Sequence, residues 1–262
     1  MKEFELSAET IQSNYNMFFK RIDKIFPTRN EQLKRMYNDF GEDRLMFAPA
    51  SGTDYFHNTI PGGYVDHVLR VMNFTKMVYD QWCTVGMKVD DFTIEELMFA
   101  ALNHDLGKLG YIGDNKEMYT LNDSKWHREN QGKIYNVNEQ IPFAAVQHRS
   151  LFLLQSYQIP CSWNEYLGIL IHDGMYDEGN KAYYASYSLK GKLRSNLPRI
   201  LHQSDILAAQ FEFERWNQYS ERLNTDPIET SKITLPEPTT KTASTKKGTT
   251  NLAASFNDVF DK

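Results

Sequence analysis

The sequence predicts an all-α protein, and three observations carry that prediction. Apolar residues recur three and four apart along the first 222 positions, as in Ile11, Tyr15, Phe18, Phe19 and Ile22. Two capping boxes, Thr93 with Glu96 and Ser162 with Glu165, each open an apolar stretch at helical spacing. Runs that alternate apolar and polar residues are few, so no large sheet is expected.

The elements follow in order. Residues 8–26 form the first helix, and a second falls within 30–40. Gly62-Gly63 opens a long helix carrying Val65, Val68, Leu69, Met72 and Val78. Thr93 and Glu96 start the next, with Ile94, Leu97, Met98, Ala101 and Leu102 as its stripe and Gly107 and Gly110 closing it. Residues 117–136 are mixed and polar and read as a small hairpin or lid. Pro142 suits the first turn of a helix that runs to about Tyr157. The helix opened by Ser162 ends near Gly174, and the last runs from about Ser195 to Arg222.

Beyond Asn224 the periodicity stops. Residues 225–250 are rich in Thr, with Pro227, Pro236 and Pro238. Such a segment buries too little apolar surface to offset its ordering entropy and is expected to be disordered. Leu252, Phe256, Val259 and Phe260 then return at helical spacing beside Asp258 and Asp261. The expected organisation is an N-terminal helical part (1–54), a main domain (55–222), a linker (223–250) and a terminal peptide (251–262).

Composition excludes several classes. With 29 Lys and Arg against 34 Asp and Glu, the net charge is -5, which argues against a broad basic surface for nucleic acid. Cys83 and Cys161 form no CxxC, so neither a disulfide scaffold nor a cysteine zinc site is expected, and a reducing cytoplasmic setting is. No apolar stretch approaches the roughly 20 residues of a membrane span, and Met1-Lys2-Glu3-Phe4 begins no signal peptide.

The histidines carry the chemical signal. His67 lies one turn into the Gly-Gly helix, His104 and Asp105 end theirs, and His148 sits in mid-helix. His172 ends its helix beside Asp173, and Asp205 interrupts the apolar stretch Leu201 to Ala208. A core histidine or helix cap would explain His148 or His172 singly, and a surface carboxylate would explain Asp205. Yet all six lie on or beside apolar stripes of successive helices, so packing around one core would bring them together. Imidazoles and carboxylates without thiolates suit divalent Mn, Fe, Co, Ni, Zn or Mg. Asp105 would bridge two such ions; a water between two ions ionises near neutral pH and attacks phosphorus. Lys108 would neutralise charge developing on the phosphoryl group or leaving oxygen, and Asp173 would act as a general acid or as a partner of His172. His57, Arg149, Lys190 and Arg194 are candidate substrate contacts, with His57 equally able to cap the Gly-Gly helix. His202 reads as a supporting residue near Asp205, and His127 as solvated.

Asn103-His104-Asp105-Leu106-Gly107-Lys108 resembles the HD-x-G-K signature of the HD-domain metal-dependent phosphohydrolases. Together with His67, His148, His172 and Asp205 it is similar to the H…HD…H…H…D order of two-metal members. The resemblance implies an HD-domain helical bundle in which His67, His104, Asp105 and Asp205 hold one ion and Asp105, His148 and His172 a second. His57 to His67, Ile169 to Gly174 and Leu201 to Asp205 are similar to the HD domain of YhaM-type 3′–5′ exoribonucleases, over roughly residues 55–212. The YhaM type begins with an OB-fold, where the first 50 residues here read as helical, and residues 110–142 have no counterpart.

The function so implied is two-metal hydrolysis of a phosphoester in a nucleotide or nucleic acid, of exonuclease or phosphodiesterase type. The alternatives are a nucleotidase acting on (d)NMP or (d)NTP, a partner-tethered binding protein with a structural metal, and a di-iron oxygenase. Ser255-Phe256-Asn257-Asp258-Val259-Phe260-Asp261 is similar to the C-terminal clamp-binding peptides of tailed-phage replication proteins. That similarity implies a tether to a sliding clamp through residues 255–261 and, for a phage-encoded chain, the bacterial host cytoplasm.

Overall fold

Helix α1 (Ala8–Ile25) begins where Ser7 Oγ accepts a hydrogen bond from the Thr10 amide. The computed structural model describes residues 5–53, 58–185 and 193–224. The expected roles of His57 and Lys190, the segment 225–250 and the peptide 251–262 lie outside these residues.

The all-α class is observed. After α1 come α2 (Asn30–Asp39), α3 (Glu42–Phe47), α4 (Gly63–Thr84) and α5 (Ile94–Asn103). A 3-10 turn follows at Leu106–Leu109, then the insertion: β1 (Tyr119–Leu121), α6 (Lys125–Gln131) and β2 (Tyr135–Val137). The two strands pair antiparallel with Tyr119 opposite Val137, so the hairpin alternative holds. Then come α7 (Val146–Ser156), α8 (Trp163–Leu170), α9 (Lys181–Tyr184) and α10 (Leu197–Asn224). Among the described residues no helix is long and apolar enough to cross a membrane.

A buried apolar cluster runs from Phe18 on α1 to Ala208 on α10, through Tyr37, Tyr64, Phe99 and Leu153. Each large side chain so buried contributes about 1.5–3 kcal/mol relative to exposure. Helix α10 lies along α4, and α5 packs between α4 and α8.

Two interlocked caps set α5 beside α8. Both capping boxes form as expected: Thr93 with Glu96, and Ser162 with Glu165. Glu96 does more than cap its own helix. One carboxylate oxygen accepts from the Thr93 amide at 2.7 Å, and the other accepts from Ser162 Oγ at 2.6 Å. The two N-termini are thereby fastened together, and the opposite ends deliver His104 and His172, whose ring centroids lie 5.0 Å apart. Gly168 permits the approach, since a Cβ there would lie 3.0 Å from Ala100 Cβ and 2.6 Å from Leu197 Cδ2.

Several elements differ from the sequence-based expectation: α8 ends at Leu170 rather than near Gly174, and α9 was not expected. Helix α3 was not expected; it is six residues long with only Leu45 buried, too short for a periodic signal. Helix α5 ends at Asn103, and the HD-x-G-K segment leaves it through the 3-10 turn. Helix α7 starts at Val146 rather than at Pro142. The carbonyls of Pro142 and Ala144 accept from the Arg149 guanidinium at 3.5 and 3.3 Å instead of entering a helix. Gly107 fits against this start because a Cβ there would sit 2.2 Å from the Val146 carbonyl oxygen.

Candidate metal centre

Four helices converge on one buried cluster. His67 comes from α4, His104 and Asp105 follow α5, His172 follows α8, and Asp205 comes from α10. The three imidazoles are fully or almost fully buried. Each has its Nδ1 held by an oxygen: His104 to the Ala101 carbonyl at 2.8 Å, His172 to the Ile169 carbonyl at 2.8 Å, and His67 to both Glu212 carboxylate oxygens at 3.2 Å. An oxygen acceptor fixes the proton on Nδ1 and turns the Nε2 lone pair toward the cluster.

The carboxylates face those Nε2 atoms. Asp205 Oδ1 lies 3.2 Å from His67 Nε2 and 3.8 Å from His104 Nε2. Asp105 Oδ2 lies 3.4 and 3.3 Å from the same two atoms, while its Oδ1 faces His172 Nε2 at 3.7 Å. Lys108 Nζ lies 2.7 Å from Asp105 Oδ2. Burial alone would raise the Asp105 carboxyl, but Lys108 and the neighbouring imidazoles hold it well below the usual carboxylate range. Burial likewise opposes the charged form of His172, yet Asp105, Asp173 and Asp205 carry it up to about 9. The local field attracts positive charge.

These residues fit a divalent cation. The donor atoms of His67, His104 and Asp205 lie within 4.8 Å of one another, as do those of His104, Asp105 and His172. Ligand atoms bound at about 2.1 Å, at angles between 90° and tetrahedral, sit about 3.0–3.4 Å apart. The separations of Asp205 from His67 and His104, 3.2 and 3.8 Å, need only a small contraction. His104 Nε2 is buried and makes no hydrogen bond of acceptable geometry, although Asp105 lies close. A buried ring nitrogen left so calls for a partner of another kind.

His148 does not join the cluster. It is exposed on the face of α7 that carries Phe152, itself 55% exposed, while Gln147, Ser150 and Leu153 turn inward. The expected set Asp105, His148 and His172 is not assembled; His104 stands where His148 was expected, and Gln147 lines the cavity above. Arg149 is also corrected as a substrate contact. It is buried, donates to the Gly107 carbonyl at 2.9 Å and stacks over Tyr111. Arg194 is exposed ahead of α10 and does not line the cavity. His202 Nδ1 donates to the His172 carbonyl at 2.7 Å, and His127 pairs with Ser124 on α6, away from the cluster.

Asp105, His172 and Asp205 of the cluster line a cavity of about 530 Å³. Asp173, with its carboxylate 3.6 Å from His172 Nε2, stands at the side, and Tyr176, Ile206 and Phe213 supply apolar walls. Lys108 also lines a second cavity of about 340 Å³, between α3 and the hairpin, with Phe47, Tyr119 and Tyr135. Sequence reasoning missed Gln147 and Glu212. The readable signal for Glu212 was an acid between Phe211 and Phe213, two turns after Asp205.

Comparisons with family models, with curated proteins and with solved structures returned no match.

Proposed function

We propose that this chain is a metal-dependent phosphohydrolase of the HD-domain type, acting on a phosphoester of nucleotide size. The observation that carries the reading is the trio of imidazoles whose Nδ1 atoms are all held by oxygens. Their Nε2 atoms face Asp105 and Asp205 beneath an open cavity. His67, His104, Asp105 and Asp205 would hold the ion, with His172 facing the free oxygen of Asp105. The donor set is nitrogen and oxygen only, with Cys83 and Cys161 elsewhere, which suits Mn, Fe, Co, Ni, Zn or Mg. A divalent cation supplies Lewis acidity toward a phosphoryl oxygen and acidifies water.

The chain's own groups do the rest. Lys108 offsets the charge of Asp105 and reaches both cavities, where it would meet charge developing on a phosphoryl oxygen. Asp173, with 43% of its side chain exposed, is placed to give a proton to the leaving oxygen. Tyr176 and Phe213 offer ring faces to the organic part of the substrate. Among the described residues, Lys108 is the single Lys or Arg lining the cavity, and it is tied to Asp105. That favours a nucleotidase over an enzyme that tracks a strand by its phosphates.

A substrate panel tests the reading: bis-p-nitrophenyl phosphate, nucleoside mono- and triphosphates, cyclic nucleotides and end-labelled single strands. Release of inorganic phosphate from a nucleotide is expected, and stepwise release of mononucleotides would mark an exonuclease instead. Hydrolysis that persists in the His104→Ala, Asp105→Ala double variant would overturn the proposal.

A further inference from the structure

We infer that Glu212 is the positioning residue of this centre, fixing the tautomer and orientation of His67 and strengthening it as a metal donor. The inference rests on the reading that the cluster binds a divalent cation. The three imidazoles are not held alike. His104 and His172 each donate to a neutral carbonyl three residues back in their own chain. His67 alone is held by a carboxylate, with both oxygens of Glu212 at 3.2 Å from its Nδ1. A charged acceptor draws the Nδ1 proton more strongly than a carbonyl does, and so raises the electron density at Nε2.

The surroundings show that this carboxylate is built in. Glu212 is 2% exposed, between helices rather than at the surface. It follows Asp205 by seven residues on α10, two turns along the same face. One helix therefore supplies both a carboxylate at the centre and the carboxylate behind His67. Arg70, one turn after His67 on α4, reaches Glu212 Oε1 at 2.6 Å and Asp66 Oδ2 at 2.7 Å. Asp66 in turn accepts from Asn58 at 2.8 Å and from Arg215 at 3.1 Å. Glu212 is thus also held by a network that ties α4 to α10. A guanidinium partner alone would explain a buried carboxylate, but it would not require both oxygens to lie equidistant from His67 Nδ1.

The test uses the full chain, with Mn²⁺ titrated calorimetrically into wild type and Glu212→Gln. Circular dichroism checks that both are folded. Loss of the charge behind His67 is expected to weaken Mn²⁺ binding by about 10- to 100-fold. A folded Glu212→Gln that binds Mn²⁺ within twofold of wild type would show that Glu212 only pairs with Arg70, and would overturn the inference while leaving the metal centre intact. Wild type that takes up no Mn²⁺ would overturn the metal centre and this inference together. Nitrogen-15 spectra of the Zn²⁺-loaded wild type supply a readout that does not depend on the variant folding. A slowly exchanging proton on His67 Nδ1, with Nε2 unprotonated, is expected, and a proton on Nε2 instead would refute the role.

Discussion

Replacing Gly168 by Ala tests the packing that sets His172 beside His104. The new Cβ would lie 3.0 Å from Ala100 Cβ and 2.6 Å from Leu197 Cδ2. Ordinary carbon contacts are about 3.5–4.0 Å. Leu197 can turn its terminal methyl aside, but Ala100 has no freedom to yield, so α8 must retreat from α5 by about 0.5–1 Å. Two terms of opposite sign then compete. Ala in place of Gly inside a helix is favourable by about 0.5–1 kcal/mol, and overpacking costs about 1–3 kcal/mol. The net expectation is destabilisation of about 0–2.5 kcal/mol, centred near 1. A domain of this size loses about 2–4 °C in Tm per kcal/mol. The same retreat lengthens the 3.7 Å separation of His172 from Asp105, so Mn²⁺ affinity should fall with stability. Urea unfolding and a Mn²⁺ titration measure both. A Gly168→Ala chain more stable than wild type would show that helix propensity wins and that the α5–α8 contact is looser than described.

The remaining predictions concern single side chains. His172→Ala should lower Mn²⁺ affinity at least about tenfold, whereas His148→Ala should leave it unchanged and shift stability by less than about 0.5 kcal/mol. The reverse ranking in a calorimetric titration would restore His148 as a ligand. Arg149→Met strips the donor from the Gly107 and Ala144 carbonyls. It should destabilise by about 2–4 kcal/mol in urea, and a fully stable variant with raised KM would instead make Arg149 a substrate contact. Glu96 is inclined upward by burial but held below its ordinary 4.5 by hydrogen bonds from Ser162 and Thr93. Its ionised form therefore contributes stability above pH 4.5 that is lost as pH falls through the lower, folded-state value. The stability gap between wild type and Glu96→Gln should close over that acid window; a gap independent of pH would mean that the charge contributes nothing.

The sequence was legible where local chemistry dictates structure. Capping boxes mark the starts of α5 and α8 because Thr93 and Ser162 satisfy orphan amides whatever the tertiary setting. The placement of His104, Asp105, His172 and Asp205 follows, since each stands at a fixed distance from a readable stripe or cap. His148 was misplaced because the face of α7 that packs inward is the one carrying Gln147, Ser150 and Leu153, and the weak apolar periodicity of this segment does not mark it. Ala144, Ala145, Leu151 and Phe152 looked like an apolar setting for it, but Ala145 and Phe152 are exposed. The Pro142 and Ala144 carbonyls accept from Arg149 ahead of the start of α7 at Val146. Arg149 was misread because a cation that satisfies carbonyls is indistinguishable in sequence from one that awaits a phosphate. Glu212 and Arg70 were unreadable as partners because 142 residues separate them, and only the packing of α10 along α4 joins them.

The central claim is that His67, His104, Asp105 and Asp205 hold a divalent metal. Metal analysis of the purified chain, combined with Mn²⁺ calorimetry and thermal unfolding, tests it most directly. At free Mn²⁺ of one hundred times its Kd, a single bound ion should stabilise the fold by about 2.7 kcal/mol. Wild type should take up at least one ion per chain and gain that stability, and the His104→Ala, Asp105→Ala double variant should do neither. Wild type that binds no metal, or a double variant that binds as well, would contradict the account.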